Sequence, residues 1–361
     1  MDEFLGIASS TLTVGARELC CRVSVSGVSF AKAAENLERL GQIRVSKERM
    51  RDVVEREGQA VVGARRFGDL GPDWTATECK VSPGGTTRVM VGADGVMVPT
   101  VTEREKQKRR EGWERKRLAR AAGERVRRQR KRRRQAVKGA DQGFKEFKIG
   151  VFYDDSREHQ YAFATAGNHE EFGRQVRREA AKVKLQEAHE KVAVTDGAKW
   201  IARQMRIQLP MVDPHIVDWH HFSEHVAQAA RECWGEGTAA AQAWREGVLN
   251  RAYQEGPGAV LAKIVETLRT LHSPRKRKAL RQLQQYITTR TAMLDYPAFR
   301  AKGYDIGSGP TEAFCKVLPS RLKGSGMRWD QPNAEALMAL SALEHSHQWK
   351  SYWDRQLAAA A

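Results

Sequence analysis

The stretch Gly303 to Trp329, GYDIGSGPTEAFCKVLPSRLKGSGMRW, decides how the rest of the chain is read. A Gly-Ser-Gly turn at 307–309 leads into Pro310, which suits a first helical position because its missing N–H is one the helix would leave unused. Glu312 follows in that first turn, where the helix dipole favours a carboxylate. Pro319 removes a backbone hydrogen bond two turns further on, so the helix is expected to end or kink there. Lys316, Arg321, Lys323 and Arg328 come next, interrupted by Gly324-Ser325-Gly326 and closed by Trp329, a pattern suited to a phosphate backbone. Taken alone, the same residues read equally well as a dipole-complementing acid followed by a solvated basic face. Its meaning therefore depends on partners elsewhere in the chain.

Two other acids answer Glu312. Asp94 lies in RVMVGADGVMVPTV, a strand pattern with an acid where a core residue is expected. Asp196 ends the short apolar strand of KVAVTDGAKW and precedes an amphipathic run to Met205. Three carboxylates at a strand, a strand end and a helix start can hold two divalent cations, which activate an attacking oxygen and stabilise a leaving one in phosphodiester chemistry. Mg2+, or Mn2+ in its place, suits such a set because it takes few carboxylates and keeps sites for water and phosphate oxygens.

The motifs GADGVMV, VTDGAKW, DWHHFSEHV and GSGPTEAFCKVLPSRLKGSGMRW resemble bacterial insertion-sequence transposases of the ISKra type over roughly Arg88 to Trp349. The last motif is long and specific, whereas ADG or TDG alone occurs by chance. The resemblance implies an Asp-Asp-Glu active site on a ribonuclease-H-like α/β fold, with Asp94, Asp196 and Glu312 as metal-binding catalytic residues. It also likens Asp218 and His221 to a supporting signature beside the catalytic site in Mutator-like relatives. The alternative for the histidines here is an ordinary hydrogen-bonded residue at a strand edge.

Composition narrows the partners. The chain has 361 residues, 41% of them hydrophobic, a net charge of +18 and a pI near 9.9. That charge points to a polyanion, and no apolar run approaches the ~18 residues of a membrane span. Double-stranded DNA is the expected partner, with no membrane. MDEFLGIASSTLTVG carries acids where an export signal has lysines, and the five cysteines include no CxxC pair, so a reducing cytoplasmic, nucleoid-associated setting is expected. The cysteines read as small buried apolar residues.

In chain order, residues 1–65 are expected to form a small helical, helix-turn-helix-like unit. Its helices run through GARELCCRVSV, SFAKAAENLERLG and VSKERMRDVVEREG, with Ser29 and Ser46 as N-caps and Ala31, Ala34, Leu37 and Leu40 as an apolar stripe ending at Gly41. Lys47, Arg49 and Arg51 would face DNA from the third helix, Ser46 to Arg56. A helical bundle with a solvated charged face is the alternative. Residues 66–87 lack periodicity and read as a linker.

Residues 88–221 read as the first part of a catalytic domain. Between Glu103 and Lys138 it carries 18 Lys and Arg against 5 Glu, so most of the excess charge is local. An extended helix or disordered arm that contacts phosphates without reading sequence is expected there, Arg109, Arg128 and Arg132 among the contacts. A plain solvated linker is the alternative.

EFKIGVFYD and HQYAFATAG follow as an antiparallel pair, then a helix, the Asp196 strand, a helix and a short strand at PHIVDWHH, giving a mixed sheet with surrounding helices. Residues 222–302 read as an all-α insertion of four helices; Trp219 just before it, with Trp234 and Trp244 within it, are core packing more readily than stacking platforms for flipped bases. Residues 303–361 complete the catalytic domain, the helix over Ala334 to Ala342 packing back on the sheet.

The activity these features and the resemblance imply is that of a DNA transposase, acting on DNA as a homodimer because two element ends must be held together. A stand-alone metal-dependent nuclease would need the acids but not the N-terminal reader or the insertion. A DNA-binding regulator or inactive remnant would not need the acids.

Overall fold

The chain's organising strand is β1 (Arg88–Thr100), which pairs on both sides. The computed structural model describes residues 12–81, 85–123 and 143–359. After β1 come α4 (Glu103–Ala121), β2 (Gly143–Tyr153), β3 (Gln160–Thr165), α5 (His169–Lys182), β4 (Glu190–Thr195), α6 (Lys199–Gln208) and β5 (His215–Val217), the expected sequence of elements. They form a mixed sheet of order β3-β2-β1-β4-β5. β1 runs antiparallel to β2, from Met90 opposite Tyr153 to Thr100 opposite Gly143, and parallel to β4, from Arg88 opposite Glu190 to Ala93 opposite Thr195.

The parallel strands need crossovers, which α5 and α6 supply. The β2–β3 hairpin is fixed by Asp154, whose carboxylate accepts from Ser156 Oγ at 2.6 Å and from the His159 backbone at 3.2 Å.

Alternation divides the sheet into two apolar faces. Val89, Val91, Ala93, Phe152 and Phe163 pack with Phe172 and Val176 of α5 and Ile201 and Met205 of α6. Met90, Val96, Val98, Ile149, Val151, Val192 and Val194 point the other way, into the larger core. That core is shared by α1 (Val14–Val25), α2 (Phe30–Gly41), α3 (Lys47–Phe67), α12 (Gly309–Val317) and α13 (Gln331–His345), and by α7 (Trp219–Trp234). α14 (Trp349–Ala358) closes the described chain.

The N-terminal helices begin as expected, the Ser29 and Ser46 hydroxyls accepting from the backbones of Lys32 and Arg49. The α2 stripe differs: Ala33 and Leu37 are buried, while Leu40 is 85% exposed. The helix presents its Ala33 side to the core and ends at Gly41, with Gln42 as a left-handed cap at φ 53°. α3 does not stop at Gly58 but continues to Phe67. Gly58 is instead the point where α13 crosses, since a Cβ there would lie 2.6 Å from the Ala336 carbonyl oxygen.

Residues 66–87, expected as a linker, bury Leu70, Trp74, Ala76 and Cys79, and Ala76 donates to the Val183 carbonyl at 2.8 Å. Their apolar residues fill gaps beside α5 and need no period to do so.

The long interval between β5 and the Gly303 stretch is helical, as expected. α7 is followed by α8 (Ala239–Gln254), α9 (Pro257–Thr270), α10 (Pro274–Thr288) and α11 (Tyr296–Ala301). The tryptophans pack here: the Trp234 and Trp244 rings are 5.0 Å apart, and Trp219 meets Tyr296 edge-on at 4.9 Å. α13 lies against β3 and α3, in keeping with its buried Ala334, Leu337, Met338 and Leu340. No helix among the described residues is long and apolar enough to cross a membrane.

The Gly58 contact separates two opposing effects. Gly58→Ala should improve helix propensity by about 1 kcal/mol, but the close approach of Ala336 should make overpacking win, at about 1–3 kcal/mol. Chemical denaturation should therefore show a net loss of stability, and a gain would mean the two helices have room to spare.

Candidate active site

The parallel register of β1 and β4 brings two of the three acids together. Ala93 is opposite Thr195, so Asp94 and Asp196 are the next residues along on adjacent strands. Both belong to the face that holds Met90, Val192 and Val194. The Asp94 carboxylate accepts from the Gly95 backbone at 2.6 Å, and that of Asp196 accepts from the Ala198 backbone at 2.7 Å in a tight turn. Gly197 is required in that turn by its φ of 74°.

Burial pushes the Asp94 carboxyl above the usual range, and the Asp196 charge adds to the rise. The Gly95 N–H, the Cys315 thiol and His221 act in the opposite direction.

Glu312 arrives on α12, which packs across β1. At Gly92 a Cβ would run into Thr311 Oγ1, so only glycine allows this approach. Asp94, two residues along, shares the face of Gly92 and looks toward the same helix. Cys315, one turn after Glu312, lies within donating reach of Asp94 and feels the charge of Glu312 as well; burial, then Asp94, holds its thiol far above the ordinary range. α12 ends at Val317, just before Pro319.

The three carboxylates do not converge on a single point. Among the described residues, the one trio of ligand atoms mutually within 4.8 Å is Cys79, Asp154 and His159. Asp94, Asp196 and Glu312 are all half-buried and offer hard oxygen donors, the ligand type that Mg2+ takes.

Asp218 and His221 relate to these acids in different ways. Asp218 is buried, caps α7 by accepting from the His221 backbone at 2.9 Å, and accepts from the Ser308 backbone at 2.5 Å. It thereby ties the turn before Glu312 to the helix that follows β5, a tie reinforced by the Trp219 N–H to the Ile306 carbonyl at 2.9 Å. His221 is partly exposed, 3.6 Å from Glu224, and within electrostatic range of Asp94.

His215 is half-buried against Thr195 Oγ1 at 2.7 Å, and desolvation lowers it to about 4, so it is neutral at neutral pH. Two further residues contribute beside the acids. Arg290 donates to the Gly197 carbonyl at 3.0 Å and stacks 4.3 Å from the Tyr286 ring, and Cys315 faces Asp94. The Glu312–Cys315 spacing of one helical turn was a usable signal for Cys315. Nothing local in the sequence marked Arg290.

The basic residues divide by exposure. Lys316 is exposed 3.9 Å from Glu312, and Lys323 is exposed nearby. Arg321, expected at a DNA surface, is instead buried, 4.9 Å from the Phe30 ring and 5.3 Å from that of Trp329, because two aromatic faces stabilise the cation on the core side. Arg328 pairs with Glu105 at 2.5 Å.

On α3, Lys47 and Arg51 are exposed and paired with adjacent acids, while Arg49 is half-buried beside Cys20. α4 buries none of its residues; Arg109 pairs with Glu105 at 2.6 Å. Arg128 and Arg132 lie outside the described residues.

All five cysteines are free and buried, and burial raises Cys20 and Cys233 to about 11. Cys79 stands with Asp154 and His159, but there Asp154 is engaged by Ser156, by the His159 backbone and by His159 Nδ1 at 2.9 Å, bonds that hold the hairpin. Comparison with protein-family models and with curated proteins returned no match.

The raised Asp94 carboxyl makes a pH-dependent cost visible. Its ionised form is disfavoured by the fold, so no penalty exists at low pH, where the group is protonated folded or unfolded, and the penalty appears as pH rises through the folded value. Asp94→Asn should therefore melt close to wild type near pH 4 and a few degrees higher near pH 8. Equal melting temperatures of the two proteins at both pH values would show that burial does not disfavour the ionised Asp94 carboxyl.

Proposed function

We propose that this chain is a metal-dependent phosphodiester enzyme whose site is Asp94, Asp196 and Glu312. The observation that carries the reading is the junction of α12 with β1 at Gly92, which sets a first-turn glutamate over a face that already holds two coupled aspartates. More particularly, we propose a DNA transposase of the Asp-Asp-Glu kind on a ribonuclease-H-like domain. The chain order after α4, which lies between β1 and β2, of two strands, helix, strand, helix, strand, together with the sheet order β3-β2-β1-β4-β5, supports that domain assignment.

In this reading Mg2+ or Mn2+, held by the three carboxylates, supplies Lewis-acid stabilisation of the attacking and leaving oxygens. The chain's own groups do the rest. The carboxylates are presented from a strand, a strand end and a helix start. Asp218 holds the turn before Glu312 in place through Ser308, and Arg290 braces the Asp196 turn through the Gly197 carbonyl. Lys316 and Lys323, exposed beside Glu312, receive the phosphate backbone.

In the first step water attacks the terminal phosphorus and the element's 3′-oxygen leaves. In the second that 3′-hydroxyl attacks a target phosphodiester, and a target 3′-oxygen leaves. The exposed α4 helix, with Lys47 and Arg51 of α3, supplies further DNA contacts. A second copy of the chain holds the other element end.

The test is cleavage and joining on the native locus with Mg2+, with nicks mapped to the base. Asp94→Asn, Asp196→Asn and Glu312→Gln should each lower both steps on the order of a thousandfold, because several kcal/mol of charge stabilisation are lost. DNA binding should remain. Near wild-type strand transfer by any variant would remove that residue from the site, and cutting without joining by the wild-type chain would favour a stand-alone nuclease.

A further inference from the structure

We propose that a second, separate site binds a phosphate-type anion in the cleft between α3, α5, the end of β3 and α13. This inference stands independently of the carboxylate site. The cleft, of about 300 Å³, is lined by Arg65, Arg66, Arg174 and Arg178, with Glu171 and Glu335 among the remaining polar groups. It lies at edge strand β3, two strands from Asp94, since Asp94 is opposite Ile149 and Ile149 is opposite Ala164.

The decisive residue is Arg65. Its side chain belongs to a residue only 3% exposed, yet Nε and both terminal nitrogens have no hydrogen-bond partner among the described residues. Arginine stays charged at any pH a folded protein meets, so burial cannot be relieved by losing a proton. Leaving such a cation without a directly bonded counter-charge disfavours the fold. Its guanidinium faces the Tyr161 ring, 5.7 Å away, and no carboxylate among the described residues is hydrogen-bonded to it.

Each acid near it has an oxygen already committed, although Glu179 keeps its buried Oε1 without a hydrogen-bond partner among the described residues. Glu171 accepts from the Asn168 backbone at 2.7 Å as part of a capping box. Glu335 accepts from Thr165 Oγ1 at 2.9 Å and from the Ala166 backbone at 3.0 Å. Glu179, beyond the Tyr161 ring, takes the tyrosine hydroxyl at 2.5 Å and Lys182 at 2.9 Å.

The backbone that carries Arg65 is also held in place. Lys182 donates to the Arg65 carbonyl at 3.0 Å, fixing the end of α3 against α5. Arg174 and Arg178 are one helical turn apart on α5 and exposed, so they present two further forks to whatever reaches Arg65. Convergent guanidinium groups match the paired oxygens of a phosphoryl group. The group has two sources, a DNA backbone phosphate and a free phosphate compound.

Full-length protein is titrated with sodium phosphate against sodium chloride at equal ionic strength, read by calorimetry and by thermal melting. Phosphate should bind saturably and raise the melting temperature, chloride should not, and Arg65→Met should abolish the effect. Arg174→Gln with Arg178→Gln, on the exposed face of α5, keeps the test valid if Arg65→Met folds poorly; it should weaken phosphate at least about tenfold through lost charge-assisted bonds. Phosphate acting no differently from chloride, or undiminished in the double variant, would overturn the proposal. A short DNA duplex that displaces phosphate assigns the site to backbone binding, and one that leaves phosphate bound assigns it to a free phosphate compound.

Discussion

The contact on which the rest of this structure depends is the seating of Thr311 against Gly92. A helix formed more than two hundred residues after the central strand comes close enough that a single methyl group on Gly92 would collide with the threonine hydroxyl. That proximity gives Glu312 and Cys315 their relation to Asp94. It also explains why the strand carries glycine in the middle of an otherwise branched apolar run, where glycine costs stability. Without it, Asp94 and Asp196 would remain a repelling pair on an open sheet face.

Other interactions hold α12 at that point. At one end of β1, buried Arg88 binds Glu190 at 2.7 Å and Asp155 at 2.6 Å, and donates to the Gly303 carbonyl at 2.8 Å. One guanidinium thus joins β1, β4, the β2–β3 hairpin and the start of the returning stretch. Asp218 joins α7 to Ser308 in the turn just before Glu312. Beyond the helix, Trp329 pairs with the end of β1, donating to the Pro99 carbonyl at 3.1 Å. The helical insertion can therefore be long without loosening the site, because its two ends are tied at separate places and Arg290 braces it against the Asp196 turn.

Much of this was legible in the residues. Periodicity located every strand of the sheet, the Pro319 stop, the Ser29 and Ser46 caps and the four long insertion helices, since these are local signals. The register that sets Asp94 beside Asp196 is consistent with two strands ending in Ala-Asp-Gly and Thr-Asp-Gly, but pairing itself is long-range. What was misread depended on tertiary contact. Gly58 resembles a helix stop and is a crossing point; Arg321 resembles a DNA contact and is enclosed by Phe30 and Trp329; the 66–87 stretch has no period yet fills a core. Cys315 was visible as a spacing, whereas Arg65 and Arg290 act through neighbours distant in sequence.

The central claim is that α12 makes Glu312 part of one cation site with the two aspartates, and Mn2+ binding tests it most directly. Electron paramagnetic resonance titration of the full chain on duplex DNA, with Mg2+ as competitor, reads the site without requiring turnover. The account predicts that Asp94→Asn, Asp196→Asn and Glu312→Gln each weaken Mn2+ by more than the roughly 10–100-fold typical of losing a ligand's outer partner. Mn2+ bound as tightly by Glu312→Gln as by the wild type, with affinity lost in both aspartate variants, would contradict it.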